Sequence, residues 1–397
     1  MVPKNHHDKD RSKHSMQNSS KALMKILLIG EYSNVHATLA EGLRYLGHDV
    51  TVFSNGDFWK NYKRDIDLVR IPTKIGGLIY LFKLLCILPK LRGYDIVQLI
   101  NPMFLELKAE RILPFYKYLR KYNKKIFLGG FGMDWYWVHT CRAAMFLRYS
   151  DFNIGKTLRT NRDAIKETTD WIGTSKERLN KYIAADCDGI VAGLYEYYMC
   201  YYPYFPRKTT YIPYPIKLLK PSPTTLQSNC RLRLFIGINK ARSEYKGTDI
   251  MLAAARSIAR KYSNLVELKI AESIPFEQYQ VMMNGADVIL DQLYSYTPSM
   301  NSLLAMSKGI ICIGGGEPEC YEILHEQELK PIINVQPNYK SVYRALENLV
   351  LHPQSIPELK RQSMEYVKKH HDYIQVAYRY EHFYTNILCD SESQIIS

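Results

Sequence analysis

The chain has 397 residues, of which 46% are hydrophobic and 23% are charged. These values are ordinary for a globular protein, and they exclude a disordered protein, a collagen-like repeat and a polytopic membrane protein. Lys and Arg exceed Asp and Glu by 53 to 39, and the resulting net charge of +14 favours anionic partners such as nucleic acid, acidic lipid or phosphorylated ligands.

The first 23 residues are polar and contain no apolar run that could form the core of a secretory signal. We interpret residues 1–23 as a disordered leader, or as sequence that precedes the true start at Met24. The eight cysteines are scattered and form no Cys-x-x-Cys pair. This distribution fits a reducing, cytoplasmic compartment.

Strand and helix patterns alternate from Met24 onward. Short continuous runs of Val, Ile and Leu separated by helical patterns are typical of buried parallel strands. The sequence predicts a helix over residues 34–46 and strands over residues 25–30, 47–54, 94–100, 124–130 and 188–193. We therefore expect a doubly wound, Rossmann-like α/β domain over residues 24–205.

The longest apolar stretch, Ile75–Leu88, is shorter than the ~20 residues that a membrane-spanning helix needs. Two interpretations stay open. As an amphipathic helix, the stretch would pack against the sheet of its own domain. As an interfacial helix, it would lie on a membrane with Lys83, Lys90 and Arg92 near the lipid phosphates.

Six prolines fall between residues 203 and 223, too many for a helix interior or a central strand. We interpret residues 206–225 as a proline-rich linker. Alternation then resumes, which predicts a second Rossmann-like domain over residues 226–370 and a C-terminal helix and tail over residues 371–397. In this second domain the sequence predicts strands over 231–238, 266–271, 287–293, 310–316 and 331–335, and helices near 247–262, 299–308 and 318–327. Two such domains would face a ligand cleft between them.

A dinucleotide-binding fingerprint is missing after the first strand. Residues 30–35 read Gly-Glu-Tyr-Ser-Asn-Val, so only the first glycine of Gly-x-Gly-x-x-Gly is present. The pyrophosphate of NAD therefore lacks its usual close approach to the backbone. Because the turn over Gly30–His36 follows a strand, we still expect it to line the cleft.

The second half carries a basic segment directly after a predicted strand. The strand ends near Gly237, and Lys240, Arg242 and Lys246 follow before a helix that begins near Gly247. Fixed cations beside a helix N-terminus suit a diphosphate. The alternative is a solvated basic loop.

A polar loop rich in Tyr and Ser precedes the next predicted helix. The backbone amides at the start of that helix would point toward the same cleft. A glycine turn then leads to two further acidic residues. The residues concerned are Tyr296, Ser299, Met300, Asn301, Glu317 and Glu319.

Three stretches resemble the retaining, sugar-nucleotide-dependent glycosyltransferases of the glycosyl transferases group 1 type. RSEYKGTD resembles the family's Arg-(spacer)-Lys-Gly element, and LLAMSKGIICIGGGEPE resembles its Gly-Gly-x-Pro-Glu block. EGLRYLGHDVTVFS is similar to its N-terminal Leu-x-x-x-Gly-His-x-Val-Thr-Val motif. The resemblance runs from Met24 to about Val335. It implies a GT-B fold, in which two Rossmann-like domains face a cleft, with C-terminal helices.

The resemblance also implies roles for individual residues. Arg242 and Lys246 match the Arg and Lys that hold the donor diphosphate, and with Glu319 they are the expected catalytic residues. The expected donor-binding residues are Gly237, Lys240, Tyr296, Ser299, Met300, Asn301 and Glu317. The family's Glu-x7-Glu pair falls on Tyr296 and Leu304, so both carboxylates are missing. Glu319 could instead be an acid that favours a helix N-terminus.

An acceptor would approach from the N-terminal domain, where the predicted acceptor-side residues are Gly30, Tyr32, His36 and Asp134. An inverting reaction needs a base, for which Asp134 or His36 would be best placed. A retaining reaction needs none there, and the resemblance implies retention. We expect no metal and no cofactor other than the nucleotide-sugar donor, because cations and amides could stabilise the leaving phosphate.

The sequence thus predicts a glycosyltransferase that moves a sugar from a nucleotide-diphosphate sugar to a glycan or lipid-linked acceptor in surface polysaccharide or glycolipid biosynthesis. The missing carboxylates leave open a catalytically reduced, glycosyltransferase-like partner protein. The positive charge alone favours a nucleic-acid-binding protein, but the chain contains no recognised binding module. We expect a cytoplasmic protein, peripheral on the inner face of the plasma membrane.

Overall fold

The computed structural model describes residues 23–218 and 231–395. Two parallel β-sheets, one in each half of the chain, are covered by helices. Residues 1–22 of the predicted leader and residues 219–225 of the predicted linker lie outside the described part.

The first sheet has seven strands, and every neighbouring pair is parallel. In chain order the strands of this half are β1 (Lys25–Ile29), β2 (Asp49–Ser54), β3 (Ile66–Asp67), β4 (Ile96–Leu99), β5 (Lys125–Gly130), the hairpin strands β6 (Asn153–Ile154) and β7 (Thr157–Leu158), β8 (Gly189–Ala192) and β9 (Thr209–Tyr211). The sheet order is β3-β2-β1-β4-β5-β8-β9. The five strands predicted for this half are confirmed. Their apolar runs are recognisable in the sequence because these strands are buried on both faces.

Seven α-helices connect these strands. They are α1 (Val35–Tyr45), α2 (Lys74–Ile87), α3 (Ala109–Tyr122), α4 (Trp135–Arg142), α5 (Arg162–Trp171), α6 (Ser175–Asp186) and α7 (Tyr195–Tyr201). Helix α1 confirms the prediction over residues 34–46. Single 3₁₀ turns lie at Phe58–Lys60 and Leu88–Leu91.

The structure differs from the predicted linker at its start. Residues 209–211 form β9, which pairs in parallel with β8 at the edge of the first sheet. This sheet therefore continues past residue 205, because residues 207–212, between Pro206 and Pro213, contain no proline and leave room for the strand.

The second sheet has five parallel strands in the order β11-β10-β12-β13-β14. They are β10 (Leu232–Ile238), β11 (Val266–Glu272), β12 (Val288–Leu290), β13 (Ile311–Gly314) and β14 (Ile333–Asn334). The helices of this half are α8 (Ser243–Lys246), α9 (Thr248–Lys261), α10 (Phe276–Met283), α11 (Met300–Ser307), α12 (Pro318–Glu322), α13 (Tyr339–Leu351) and α14 (Ile356–His370), with 3₁₀ turns at Lys240–Arg242 and Pro353–Ser355. All five predicted strands of this half are confirmed.

The last helix, α15 (Tyr373–Ile395), returns to the first domain. His48 Nε2 lies 2.9 Å from Glu381 Oε1, and the Tyr384 hydroxyl donates to Gln98 Oε1 at 3.1 Å. Helices α1 and α15 pack closely at Gly42, where a Cβ atom would lie 2.8 Å from that of Ala377. Across the described residues, no helix combines the length and the apolar character needed to cross a membrane.

Candidate functional site

A large cleft lies between the two sheets. Its volume is about 1360 Å³, which exceeds the ~300–1,000 Å³ of typical small-molecule sites. On the first sheet its wall follows β1, β2 and β5 and includes Tyr32, Asp57 and Phe131. On the second sheet it follows β10 and β12 and includes Asn239 and Asp291. The carboxyl ends of parallel strands are where α/β folds bind ligands.

Arg242 and Lys246 both line the cleft. The segment predicted as a loop is helical. Arg242 lies at the end of a 3₁₀ turn, and Lys246 lies at the end of α8. Gly247, with a φ of 74°, then separates α8 from α9. The Arg242 guanidinium lies over the Tyr245 ring, 4.8 Å from its centroid. Burial lowers the pKa of Lys246, Asp291 raises it in part, and Arg242 lowers it further. A second negative charge near Lys246 would favour its ammonium form.

The N-terminus of α11 faces the same cleft, which Ser299, Met300 and Asn301 line. The Ser299 side chain does not cap the helix and instead donates to Asp291 Oδ2 at 3.2 Å. The first-turn amides therefore have no side-chain cap, and such uncapped amides are suited to bind an anion. The Asn301 amide donates to the Tyr279 hydroxyl at 2.7 Å, which fixes both side chains.

Asp291 is a cleft carboxylate that the sequence analysis did not single out. It follows β12 directly, and it accepts hydrogen bonds from the hydroxyls of Ser299 and Ser302 and from the Asn301 amide. Its position near the end of the predicted strand over residues 287–293 could have identified it as a candidate cleft residue. The side chain can accept further hydrogen bonds from ligand hydroxyls on its remaining lone pairs.

Gly237 lines the cleft, whereas Lys240 does not. A Cβ atom at Gly237 would lie 2.3 Å from the Tyr279 ring, so glycine lets that ring pack against β10. Lys240 is 69% exposed and pairs with Glu272 at 2.9 Å. Its prediction as a donor-binding residue therefore differs from the structure, because the side chain points along the outer surface.

Tyr296, Glu317 and Glu319 lie outside the cleft lining and form a contact between the two halves. The Arg148 guanidinium pairs with Glu317 at 2.8 Å and with both oxygens of Glu319. The Arg148 backbone N–H donates to the Tyr296 hydroxyl at 2.6 Å, and its guanidinium lies over the Tyr296 ring. In this structure the side chains of Tyr296, Glu317 and Glu319 contact Arg148 of the first domain instead of lining the cleft.

Of the predicted acceptor-side residues, Tyr32 lines the cleft. Gly30, with a φ of 84°, packs against Ile100, where a Cβ atom would overlap the side chain. His36 is fully buried, its Nδ1 donates to the Gly30 carbonyl at 2.8 Å, and burial lowers its pKa to about 3. The structure thus removes His36 from the role of an acceptor base.

Asp134 is also withdrawn from the cleft. It is the N-cap of α4 and accepts from the Trp137 backbone N–H at 2.8 Å and from the Tyr201 hydroxyl at 2.6 Å. Burial raises its pKa to about 6. Its side chain is fully buried and satisfied, so helix capping explains this carboxylate better than acceptor binding.

Two further acidic residues of the first half line the cleft, and neither was predicted. Burial raises the pKa of Asp151, which the nearby Arg242 and Lys246 lower in part. Glu196 lies in the first turn of α7 and accepts from the hydroxyls of Ser295 at 2.9 Å and Thr297 at 2.5 Å. Glu196 comes shortly after β8, whereas Asp151 precedes the hairpin of β6 and β7.

Asp-x-Asp sequences occur at residues 65–67 and 186–188, and neither lines the cleft. In the first, Asp65 pairs with Arg44, and Asp67 pairs with Arg64. In the second, both carboxylates pair with Arg120. Within residues 23–218 and 231–395, no three His, Cys, Asp or Glu side chains are grouped as metal ligands.

Solved structures share this arrangement of two sheets around a cleft. Sucrose-phosphate synthase from Thermosynechococcus elongatus has a TM-score of 0.59 and 14% identity, covering 92% of this chain and 100% of that chain. HepE from Anabaena in complex with UDP-glucose has a TM-score of 0.56 and 11% identity, covering 94% and 100%. The chain has the GT-B fold. The predicted fold class is confirmed.

The same GT-B fold occurs in a putative UDP-N-acetylglucosamine 2-epimerase from Listeria monocytogenes, at a TM-score of 0.51 and 12% identity, covering 90% of this chain and 95% of that chain. No protein-family model matches the chain, and no curated protein matches it in sequence. At these identities the likeness shows the fold alone, so the function is argued from the site.

Proposed function

We propose that this GT-B protein is a glycosyltransferase that moves a sugar from a nucleotide-diphosphate sugar to a glycan or lipid-linked acceptor in surface polysaccharide or glycolipid biosynthesis. One observation carries the proposal. Arg242, Lys246 and the uncapped N-terminus of α11 converge on one side of a cleft at the carboxyl ends of β10 and β12. HepE, whose structure contains UDP-glucose, supports a nucleotide-sugar ligand for this fold.

The proposed reaction breaks the bond between the anomeric carbon and the diphosphate. Negative charge grows on the departing phosphate, and donors placed beforehand stabilise it by ~3 kcal/mol each. Arg242 offers a planar guanidinium suited to two phosphate oxygens, and Lys246 offers a compact charge. Since burial lowers the pKa of Lys246, a bound diphosphate would strengthen its ammonium form. These cations would act without a divalent metal.

The opposite wall would receive the acceptor. Tyr32 and Asp57 line it, and the cleft volume leaves room for an acceptor beside the donor. We propose that the anomeric configuration is retained, as the resemblance to group 1 enzymes implies. The burial of Asp134 and His36 supports this, because the two bases considered for inversion do not reach the cleft.

Substitution of Asp57 or Asp151 tests whether the anomeric configuration is retained. Asp57 accepts from the Ser33 backbone N–H and pairs with Lys60 at 2.6 Å, and Asp151 lies near the two donor-side cations. Product of the same anomeric configuration as the donor, read by proton NMR, is the expected result. Product of opposite configuration, lost in Asp57→Asn or Asp151→Asn, would show an inverting enzyme.

The alternative is a catalytically reduced, glycosyltransferase-like partner protein. The observation that favours it is the pair Tyr296 and Leu304 at the positions where the resembling family has two carboxylates. Tyr296 contacts Arg148 across the two halves, which is a structural role. Donor turnover separates the two functions, because a partner protein would bind a nucleotide without consuming its sugar.

The experiment is calorimetric titration with UDP and GDP, followed by a search for donor turnover with a panel of nucleotide sugars. Arg242→Ala and Lys246→Ala should each lower turnover roughly a hundredfold, the usual loss for one transition-state donor. Arg256→Ala, an exposed arginine on α9 outside the cleft, is the matched control. Near wild-type turnover in both cleft variants would contradict the proposed diphosphate site.

A further inference from the structure

Helix α2 presents a continuous apolar face to solvent. The exposed fractions on this face are 71% for Ile75, 68% for Leu78, 55% for Ile79, 69% for Phe82 and 52% for Leu85. Spacings of three and four residues put these side chains on one side of the helix. We call these five residues the α2 face. The stretch is therefore amphipathic, and this side of the helix does not pack against its own domain.

The opposite side of α2 is the side that packs. Its buried residues are Gly76, Tyr80 and Leu84. The Tyr80 hydroxyl accepts the Glu106 backbone N–H at 3.2 Å, and at Gly76 a Cβ atom would lie 2.4 Å from the Ile71 carbonyl oxygen. The helix is thus anchored by one side in the described structure, and the apolar side is turned away from the fold.

Exposed basic residues occur in the chain on both sides of α2. Exposed residues of this kind are Arg70, Lys74, Lys90 and Arg92. Lys83, also on α2, lies 3.5 Å from Asp67. Two copies of the chain that met through this face would bring the basic residues that flank α2 in each copy closer together, which is unfavourable. An anionic lipid surface would satisfy both the apolar side chains and the cations.

The start of α2 lies at the edge of the sheet that carries the proposed acceptor side. Helix α2 follows the edge strand β3, so it begins at the edge of the sheet where the strands end. The cleft wall of the first domain follows β1 and β2 at that same edge, with Ser33 and Asp57. A membrane held against the start of α2 would therefore lie beside the mouth of the cleft.

We propose that the α2 face inserts into the interfacial region of an anionic phospholipid bilayer, with the helix parallel to the membrane, and that the acceptor is presented there on a lipid carrier. The second part rests on the proposed glycosyltransferase function. At about 1.5 Å per residue, α2 is too short to span the ~30 Å hydrocarbon core, so it lies in the surface.

The test is co-sedimentation with two kinds of vesicle, one of phosphatidylcholine alone and one of equal parts phosphatidylcholine and phosphatidylglycerol, at low and at high salt. The protein should bind the mixed vesicles and bind less as salt rises, because surface charges are screened. Leu78→Ser combined with Phe82→Ser should weaken binding on the order of a hundredfold through lost apolar burial. Both residues are exposed, so the fold should be unaffected.

The matched control is Val281→Ser combined with Leu351→Ser, two apolar residues of the second domain that are 71% and 57% exposed. Control protein that binds like the wild type supports the proposal, and equal loss in both double variants overturns it. Light scattering on the same samples adds a second criterion. A wild-type dimer that the α2 double variant converts to a monomer, without vesicle binding, would make the face a self-association surface and refute the proposal.

Titration with UDP in solution keeps the two proposals separate. Wild-type affinity for UDP in the α2 double variant would show that the cleft is intact, so its lost vesicle binding belongs to the α2 face. Vesicle binding without any UDP binding would support the membrane surface and contradict the proposed function. UDP binding without binding to any vesicle would be consistent with the proposed function and would contradict the proposed membrane surface.

Discussion

Arg148 connects the two halves of the protein, and its removal tests how they are held together. Its guanidinium pairs with Glu317 at 2.8 Å and with both oxygens of Glu319. The Arg148 side chain is 53% exposed, so solvent screens part of the attraction. Glu317 is 5% exposed, but it keeps hydrogen bonds from the Tyr149 hydroxyl and from Gln336 at 3.0 Å.

Arg148→Ala should therefore lower the free energy of unfolding by about 1–2 kcal/mol, less than for a buried charge left without a partner. Arg148→Lys keeps the charge but loses the two-pronged geometry, so it should recover only part of the loss. The measurement is urea unfolding followed by circular dichroism and tyrosine fluorescence, with Arg256→Ala as the control.

A double-mutant cycle isolates the pair itself. Arg148→Ala and Glu319→Gln share one interaction, so their effects should fall short of additivity by ~0.5–1 kcal/mol. Equal stability of Arg148→Ala and Arg256→Ala would refute the reasoning. Full additivity in the cycle would refute the expected coupling between Arg148 and Glu319, and it would leave the Arg148 contacts with Glu317 and Tyr296 as the source of any stability lost.

Two further predictions concern the donor side of the cleft. Donor turnover should survive EDTA, because Arg242, Lys246 and the α11 amides would stabilise the leaving phosphate; complete loss that manganese or magnesium restores would contradict this. UDP affinity should fall as pH rises at values below the ordinary lysine pKa, since burial lowers the pKa of Lys246 and the neutral amine loses its attraction to phosphate. The Lys246→Arg variant should bind UDP with a flat pH profile over that range, and an equally steep fall in this variant would assign the titration to another group.

The strands were predictable because their residues are buried on both faces. Runs such as those of β1 and β10 are almost continuously apolar, as expected for strands that helices cover on both sides of a parallel sheet. Strand β3 was missed because it pairs through only two residues at the sheet edge. The 3₁₀ turn and α8 were missed because each is a single turn within a polar segment.

The candidate site was predictable where a side chain directly follows a strand of its own domain. Arg242 and Lys246 satisfied this condition, and both line the cleft. His36 also lies near a strand end, but packing turned it inward. Glu196 also comes shortly after a strand, β8, but it was not singled out, whereas Asp151 precedes a short hairpin and no local pattern marks it.

The position of helix α15 affects the order in which the two domains fold during synthesis. This helix is synthesised after the second domain, yet its contacts with α1 and β4 belong to the first domain, and the His48–Glu381 pair is separated by 333 residues. A nascent chain on the ribosome therefore carries a first domain whose α1 is uncovered at Gly42, where Tyr373 and Ala377 later pack. Domains generally fold in order of synthesis. Here the first domain is completed only after the second has emerged, so emergence of α15 becomes a step in its folding.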